Sequence, residues 1–153
     1  MLKFLQQSPA GRVSEICRLT WGDCYQNSDG TATITLFGKG AKTRHVAVST
    51  ETWAELSELR KEAQSDAPVF VSRKGKGHLN RSQVHRIIKA ICKLAGISDV
   101  SAHWFRHSHA THAVDRGVAL PLVQVTLGHA GIATTQRYLH ANPKDSSGLH
   151  LSV

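Results

Sequence analysis

The chain is short of several things, and each shortage narrows what it can be. It has no apolar run longer than a few residues, whereas a membrane-spanning helix needs roughly 20. Its first residues, MLKFLQQSPAGR, hold one lysine and a very short apolar stretch, without the length of a secretory signal. Cysteine is scarce: Cys17, Cys24 and Cys92 form no C-x-x-C pair and cannot all bridge, which reads as reduced thiols in a cytosol. No internal repeat or low-complexity tract is present. With 41% apolar and 20% charged residues in 153, the composition is that of one folded domain, large enough to bury a core and neither disordered nor fibrous.

Acid is also scarce, but only in one half. Residues 1–69 hold eight Lys/Arg and eight Asp/Glu, which cancel. Residues 70–153 hold eleven against three, and so carry the whole formal charge of +8. Between Phe70 and Ser98 there are seven basic residues and no acid. A basic half of this kind is the footprint of a polyanion, most often nucleic acid; a solvated cationic face with no partner is the bland alternative.

Local patterns predict a mostly helical α+β domain with one small antiparallel sheet near the front. Val13, Ile16 and Leu19 recur at helical spacing in RVSEICRLTW. YQNSDG marks a turn. TATITLF and TRHVAVS alternate as strands and pair as a hairpin around GKGAK. STETWAELSELRKEAQS is a helix with Ser49 or Thr50 as its cap and Trp53, Leu56 and Leu59 on its apolar stripe. APVFVSRKGKG is a short extended piece followed by a basic loop. NRSQVHRIIKAICKLAG is a helix capped by Asn80 and ended by Gly96, with Val84, Ile87, Ile88, Ile91 and Leu94 or Ala95 inward and Arg81, His85, Arg86, Lys89 and Lys93 outward. A helix from about Ala102 to Arg116, a short one started by Pro121 and stopped at Gly128, and a last one over IATTQRYLH complete the chain.

The stretch HWFRHSHATH carries four of the ten histidines. His103 and His107 have the i, i+4 spacing of a metal pair. Yet Val100–Val114 holds no Asp, Glu or Cys, and the Arg106 guanidinium lies between the candidate ligands, which disfavours a dication. His107, His109 and His112 read as supporting or surface residues. Anion chemistry fits better: an arginine forks onto phosphate oxygens, and a histidine beside it accepts or donates one proton. Downstream, His129 follows a helix-stopping glycine and Tyr138 follows nine residues later. A tyrosine there is most often interface packing, but its hydroxyl is also a nucleophile when a base takes its proton and cations stabilise the phosphorane.

These residues resemble the tyrosine recombinase family (phage integrase, Xer-like), in its C-terminal catalytic domain. HWFRHSHATHAVDRGVALPLVQVTLGHAGIATTQRYLH is similar to its His-x-x-Arg, Leu-Gly-His and tyrosine motifs in order and spacing. GRVSEICRLTW resembles its Arg-x-Ser-Glu segment, and GKGAKTRHVAV its lysine-bearing hairpin. The likeness runs from about Ala10 to Ala141. Two departures, His109 where an aromatic is commoner and Ala47 where a proline is common, do not touch the chemistry.

The resemblance implies a site-specific DNA recombinase that cleaves and rejoins strands through a 3′-phosphotyrosine intermediate, acting in phage integration, in chromosome dimer resolution or on a mobile element. Arg12 and Arg106 would clamp the scissile phosphate. His103 would accept the tyrosine proton or hold the phosphate, and His129 would donate a hydrogen bond to it. Tyr138 would attack phosphorus, and Lys39 would protonate the leaving 5′-oxygen, with Lys42 on the same hairpin as the alternative. Glu15 would support Arg12. Arg73, Lys74, Lys76, Arg81, Arg86 and Lys89 would bind the DNA backbone. No cofactor and no metal is implied. The expected partners are double-stranded DNA and further protomers in a tetrameric synapse, with no membrane, in a cytoplasmic, nucleoid-associated setting. The alternative function is a recombinase-derived DNA-binding remnant without turnover. The implied organisation is a catalytic domain over residues 1–141, truncated at its start and lacking the family's core-binding domain. A tail over 142–153 would dock on a neighbouring protomer through Leu149, Leu151 and Val153.

Overall fold

A computed structural model describes residues 11–38, 40, 42–72, 77–97, 100–129 and 135. Several expectations fall outside the described residues. They are Lys39, the basic loop residues Arg73, Lys74 and Lys76, the helix around Tyr138 apart from Thr135, and the tail with Leu149, Leu151 and Val153.

The described elements are α1 (Val13–Cys17), a 3-10 turn (Trp21–Asp23), β1 (Cys24–Gln26), β2 (Ala32–Phe37), β3 (Thr43–Val48), α2 (Thr50–Ser57), α3 (Arg81–Leu94), α4 (Ala102–Asp115) and α5 (Leu120–Leu127). This is the expected mostly helical α+β arrangement. The sheet has three antiparallel strands in the order β1-β2-β3, one more than the sequence reading expected. YQNSDG is indeed a turn, but it closes a hairpin between β1 and β2, with the Asn27 N–H donating to the Thr31 carbonyl at 2.9 Å and Gly30 at φ 83°. Three residues of Cys-Tyr-Gln are too few to show alternation, which is why β1 was not legible.

Alternation does its work on β2 and β3. Ala32, Ile34 and Leu36 face inward from β2, and Val46 and Val48 from β3. They meet Ile16, Leu19 and Trp21 from the front of the chain, Trp53 and Leu56 from α2, and Val84 and Ile88 from α3 in one core. Full burial of each such side chain contributes about 1.5–3 kcal/mol, so this core anchors the sheet under the residues that follow Arg12. A smaller cluster, Ala110, Val123 and Leu127, packs α4 against α5.

The helices end where local chemistry ends them. α2 begins at Ser49, whose hydroxyl accepts the Thr52 N–H. It stops at Ser57, earlier than its periodicity suggested, because the following turns reach Lys61 at φ 47°; Leu59 is therefore exposed rather than on the buried stripe. α3 has reciprocal caps: the Gln83 N–H donates to Asn80 Oδ1 at 2.9 Å, and the Asn80 N–H donates to Gln83 Oε1 at 2.8 Å. Its core side is narrower than expected. Val84 and Ile88 are buried, but Ile91, Leu94 and Ala95 are exposed. Arg81, His85, Arg86, Lys89 and Lys93 are all on the exposed side, as the spacing implied. Among the described residues, no helix is long and apolar enough to cross a membrane.

Candidate active site

Arg12 precedes the first turn of α1, and Glu15 sits inside that turn. The Glu15 carboxylate accepts the Arg12 backbone N–H at 2.7 Å and the Arg12 Nη1–H at 3.1 Å. From β3, Arg44 reaches the same carboxylate, with Nη2 donating to Oε2 at 2.6 Å and Nη1 to Oε1 at 3.4 Å. Exposure separates the two arginines: the Arg12 side chain is 49% exposed, Arg44 13% and Glu15 5%. Arg12 thus keeps a face for a ligand, while the Arg44–Glu15 pair is structural. Burial pushes the Glu15 carboxyl up, but the Arg44 hydrogen bond, the Arg12 N–H and the Arg44 charge outweigh it and hold the group below its ordinary value.

Arg12 opens onto two cavities. The first, of about 570 Å³, is lined by Arg12, His103 and Arg106 together with Arg81, His85 and Arg86 of α3. The second, of about 330 Å³, is lined by Arg12, Lys42, Arg44 and His129. Segments about 90 residues apart in sequence are therefore brought to one place, and Arg12 is common to both. Of the expected DNA-contact residues, Arg81 and Arg86 line the first cavity, whereas Lys89 is exposed further along α3. Lys42 of the hairpin lines the second cavity.

Helix ends set the remaining pieces. His103 is at the second position of α4 and is exposed, and Arg106 lies one turn on. Arg106 Nη2 donates to the carbonyl of Leu127, one of the carbonyls that the end of α5 leaves without an intrahelical partner. α5 then stops at Gly128, at φ 66°, a conformation that costs any residue with a Cβ. A Cβ there would also lie 3.1 Å from Arg44 Cζ, a close approach added to the backbone cost. The turn delivers His129, whose Nδ1 is 2.8 Å from the Thr135 hydroxyl. Thr135 is fully buried. With Nδ1 engaged, Nε2 is the ring nitrogen open to a ligand. Burial first, then the charges of Arg106, Arg12, His107 and Arg44, hold the ring below its ordinary pKa. The neutral form of the ring is favoured by these surroundings.

Two residues of this site, Arg44 and Thr135, were not singled out from sequence. Arg44 had a signal: it shares the inward face of β3 with Val46 and Val48, and a cation on a core face needs an acid. Thr135 had none, since a threonine in a polar helical stretch is ordinary. Two of the cysteines, Cys17 and Cys24, are poor rival nucleophiles. Burial raises the Cys17 thiol, and burial with the Asp23 charge pushes Cys24 up to about 12.

The sequence matches the model of the phage integrase family over residues 1–145. The chain belongs to that family. Tyrosine recombinase XerC of Xanthomonas axonopodis pv. citri (strain 306) is 39% identical over 132 residues, covering 84% of this chain and 42% of that protein. Tyrosine recombinase XerA of Pyrococcus furiosus is 36% identical over 136 residues, covering 87% of this chain and 46% of that protein. The chain thus spans under half the length of these curated relatives. The crystal structure of XerH site-specific recombinase bound to difH substrate, a pre-cleavage complex, superposes with a TM-score of 0.80 at 29% identity, over 93% of this chain and 42% of that one.

Proposed function

We propose that this chain is the strand-cleaving and rejoining part of a site-specific DNA recombinase. The observation that carries the reading is the convergence of Arg12, His103 and Arg106 on one cavity, with His129 reached from the same Arg12. Two guanidiniums and an imidazole form a donor set for a phosphodiester whose charge grows in the transition state. The Tyr138 hydroxyl attacks phosphorus, losing its proton to His103, and the bond from phosphorus to the 5′-oxygen breaks. Lys39, or Lys42 from the same hairpin, gives that oxygen a proton. A 5′-hydroxyl later attacks the phosphotyrosine and releases Tyr138. One phosphoester replaces another at each step, so neither ATP nor a cofactor enters. Double-stranded DNA is the substrate, further protomers on DNA are the partners, and the setting is the cytoplasmic nucleoid.

The test is covalent trapping. A duplex nicked so that the 5′-hydroxyl fragment diffuses away should leave a protein–DNA adduct that survives denaturation. Tyr138→Phe should abolish the adduct and leave duplex affinity nearly unchanged, since only a hydroxyl is removed. An adduct that persists in Tyr138→Phe would remove the nucleophile assignment. Tight duplex binding with no adduct would favour a DNA-holding role without turnover.

The basic side of α3 gives a separate test of the same reading. Arg86 lines the first cavity, and Lys89 follows it on the exposed face of the same helix. Replacing both with glutamate should weaken binding to any duplex and flatten the salt dependence of log K, by about 0.9 for each phosphate no longer neutralised. A slope identical to wild type would put the DNA on another face.

A further inference from the structure

We propose that Arg44 is a positioning residue that holds Arg12 and the His129 turn in one fixed relation; the inference rests on the reading above and deepens it. Three independent contacts carry it. Both Arg44 terminal nitrogens donate to the two oxygens of Glu15, at 2.6 and 3.4 Å. The same carboxylate takes the backbone and side chain of Arg12, so the position of Glu15 sets that of Arg12. On its other side the guanidinium lies against Gly128, close enough that a Cβ would stand 3.1 Å from both Cζ and Nε. His129 is the next residue.

The hairpin is seated by the same group. A Cβ at Gly38 would lie 3.2 Å from Glu15 Oε1 and 3.6 Å from Arg44 Nη1, so the strand that leads to the lysine loop passes directly over the ion pair. Arg44 therefore joins three segments that are far apart in sequence: α1 with Arg12, the β2–β3 hairpin, and the end of α5 with His129. It does so with a planar fork that two carboxylate oxygens match and an ammonium does not. At 13% exposure its side chain is a poor candidate for gripping a bulky nucleic acid itself. Its effect runs through Glu15 and Gly128.

Arg44→Met and Arg44→Lys test this, compared with wild type on two readouts. The first needs no catalysis: NMR of the Arg12 Nε–H and the His129 ring, with the indole N–H signals of Trp21 and Trp53 reporting the core. In Arg44→Met the Arg12 and His129 signals should move together while the indoles stay. The second is the rate of adduct formation on the nicked duplex against its dissociation constant. The rate should fall at least ~100-fold, the cost of displacing reacting groups by about 1 Å, with affinity largely kept. Arg44→Lys should restore part of the fold's stability and little of the rate. Unmoved Arg12 and His129 signals in Arg44→Met would overturn the proposal. So would a wild-type rate in that variant, or full recovery in Arg44→Lys. A wild-type chain that forms no adduct would count against the chemistry alone, and the NMR arm would still decide the role of Arg44.

Discussion

Arg106→Ala is expected to slow adduct formation by about 10²–10³-fold while the chain still binds duplex DNA. Under the proposed chemistry the guanidinium faces a phosphate charge that grows as the phosphorane forms, so its removal falls more heavily on the rate than on ground-state affinity. The salt slope of binding should drop by about one phosphate's share. A second consequence separates this arginine from a simple cation. Arg106 also donates to the Leu127 carbonyl at the end of α5, and Leu127 is wholly buried in the small cluster with Ala110 and Val123. One group thus ties α4 to the turn that carries His129. Removing a charged donor from a carbonyl costs about 1.5–3 kcal/mol, so Arg106→Ala should also melt earlier. Arg106→Lys sorts the two effects. It keeps a cation and a donor, but one ammonium cannot hold a carbonyl and fork two phosphate oxygens at once. It should therefore recover much of the melting temperature and little of the rate. Single-turnover trapping and a thermal melt on the same three proteins decide it. A near wild-type rate in Arg106→Lys would mean that charge alone is enough, and the clamp geometry would be wrong.

What could be read ahead of the structure follows from how local each signal is. Caps and stops are carried by adjacent residues, so Asn80 at the start of α3 and Gly128 at the end of α5 were legible. The β2–β3 hairpin was legible because six residues of each strand alternate. β1 was not, since three residues cannot alternate enough to be seen. The exposed Ile91 and Leu94 look like core in sequence because periodicity records which side of a helix is apolar, not how far the packing against it extends. In the candidate site, the order and spacing of the motifs pointed to Arg12, His103, Arg106 and His129, and the fold sets them around two adjoining cavities. What holds them was harder to see. Glu15 lies 29 residues from Arg44, and Gly128 is 84 positions beyond Arg44. No sequence window contains that triangle, although the inward register of Arg44 on β3 was a clue that a buried acid must face it.

That buried acid gives the largest expected change in stability. Glu15→Gln should destabilise the fold by about 3–5 kcal/mol, the usual cost of removing one partner of a buried ion pair. For a domain of this size that is a fall in Tm of roughly 6–20 °C, at about 2–4 °C per kcal/mol. The shape of glutamine is nearly the same, so the loss is electrostatic. The amide keeps one acceptor but turns N–H donors toward two guanidiniums that are donors themselves. Arg44 would be left with its charge under the fold and without its carboxylate. The pH dependence has a definite sign. Four favourable interactions from Arg12 and Arg44 outweigh burial and hold the Glu15 carboxyl below its ordinary value of 4.5. The folded state therefore binds this proton less readily than the unfolded chain. The stabilisation is fully present above pH ~4.5 and is lost as pH falls through the depressed folded value. Glu15→Gln lacks this site's share of that loss. Its stability should run more nearly parallel to the pH axis between about pH 5 and 2, and the gap from wild type should shrink toward acid. Urea melts at a series of pH values read both quantities. A gap that stays constant down to pH 2 would show that folding leaves the Glu15 pKa unchanged, and the ion pair that seats Arg12, the hairpin and the His129 turn would have to be withdrawn.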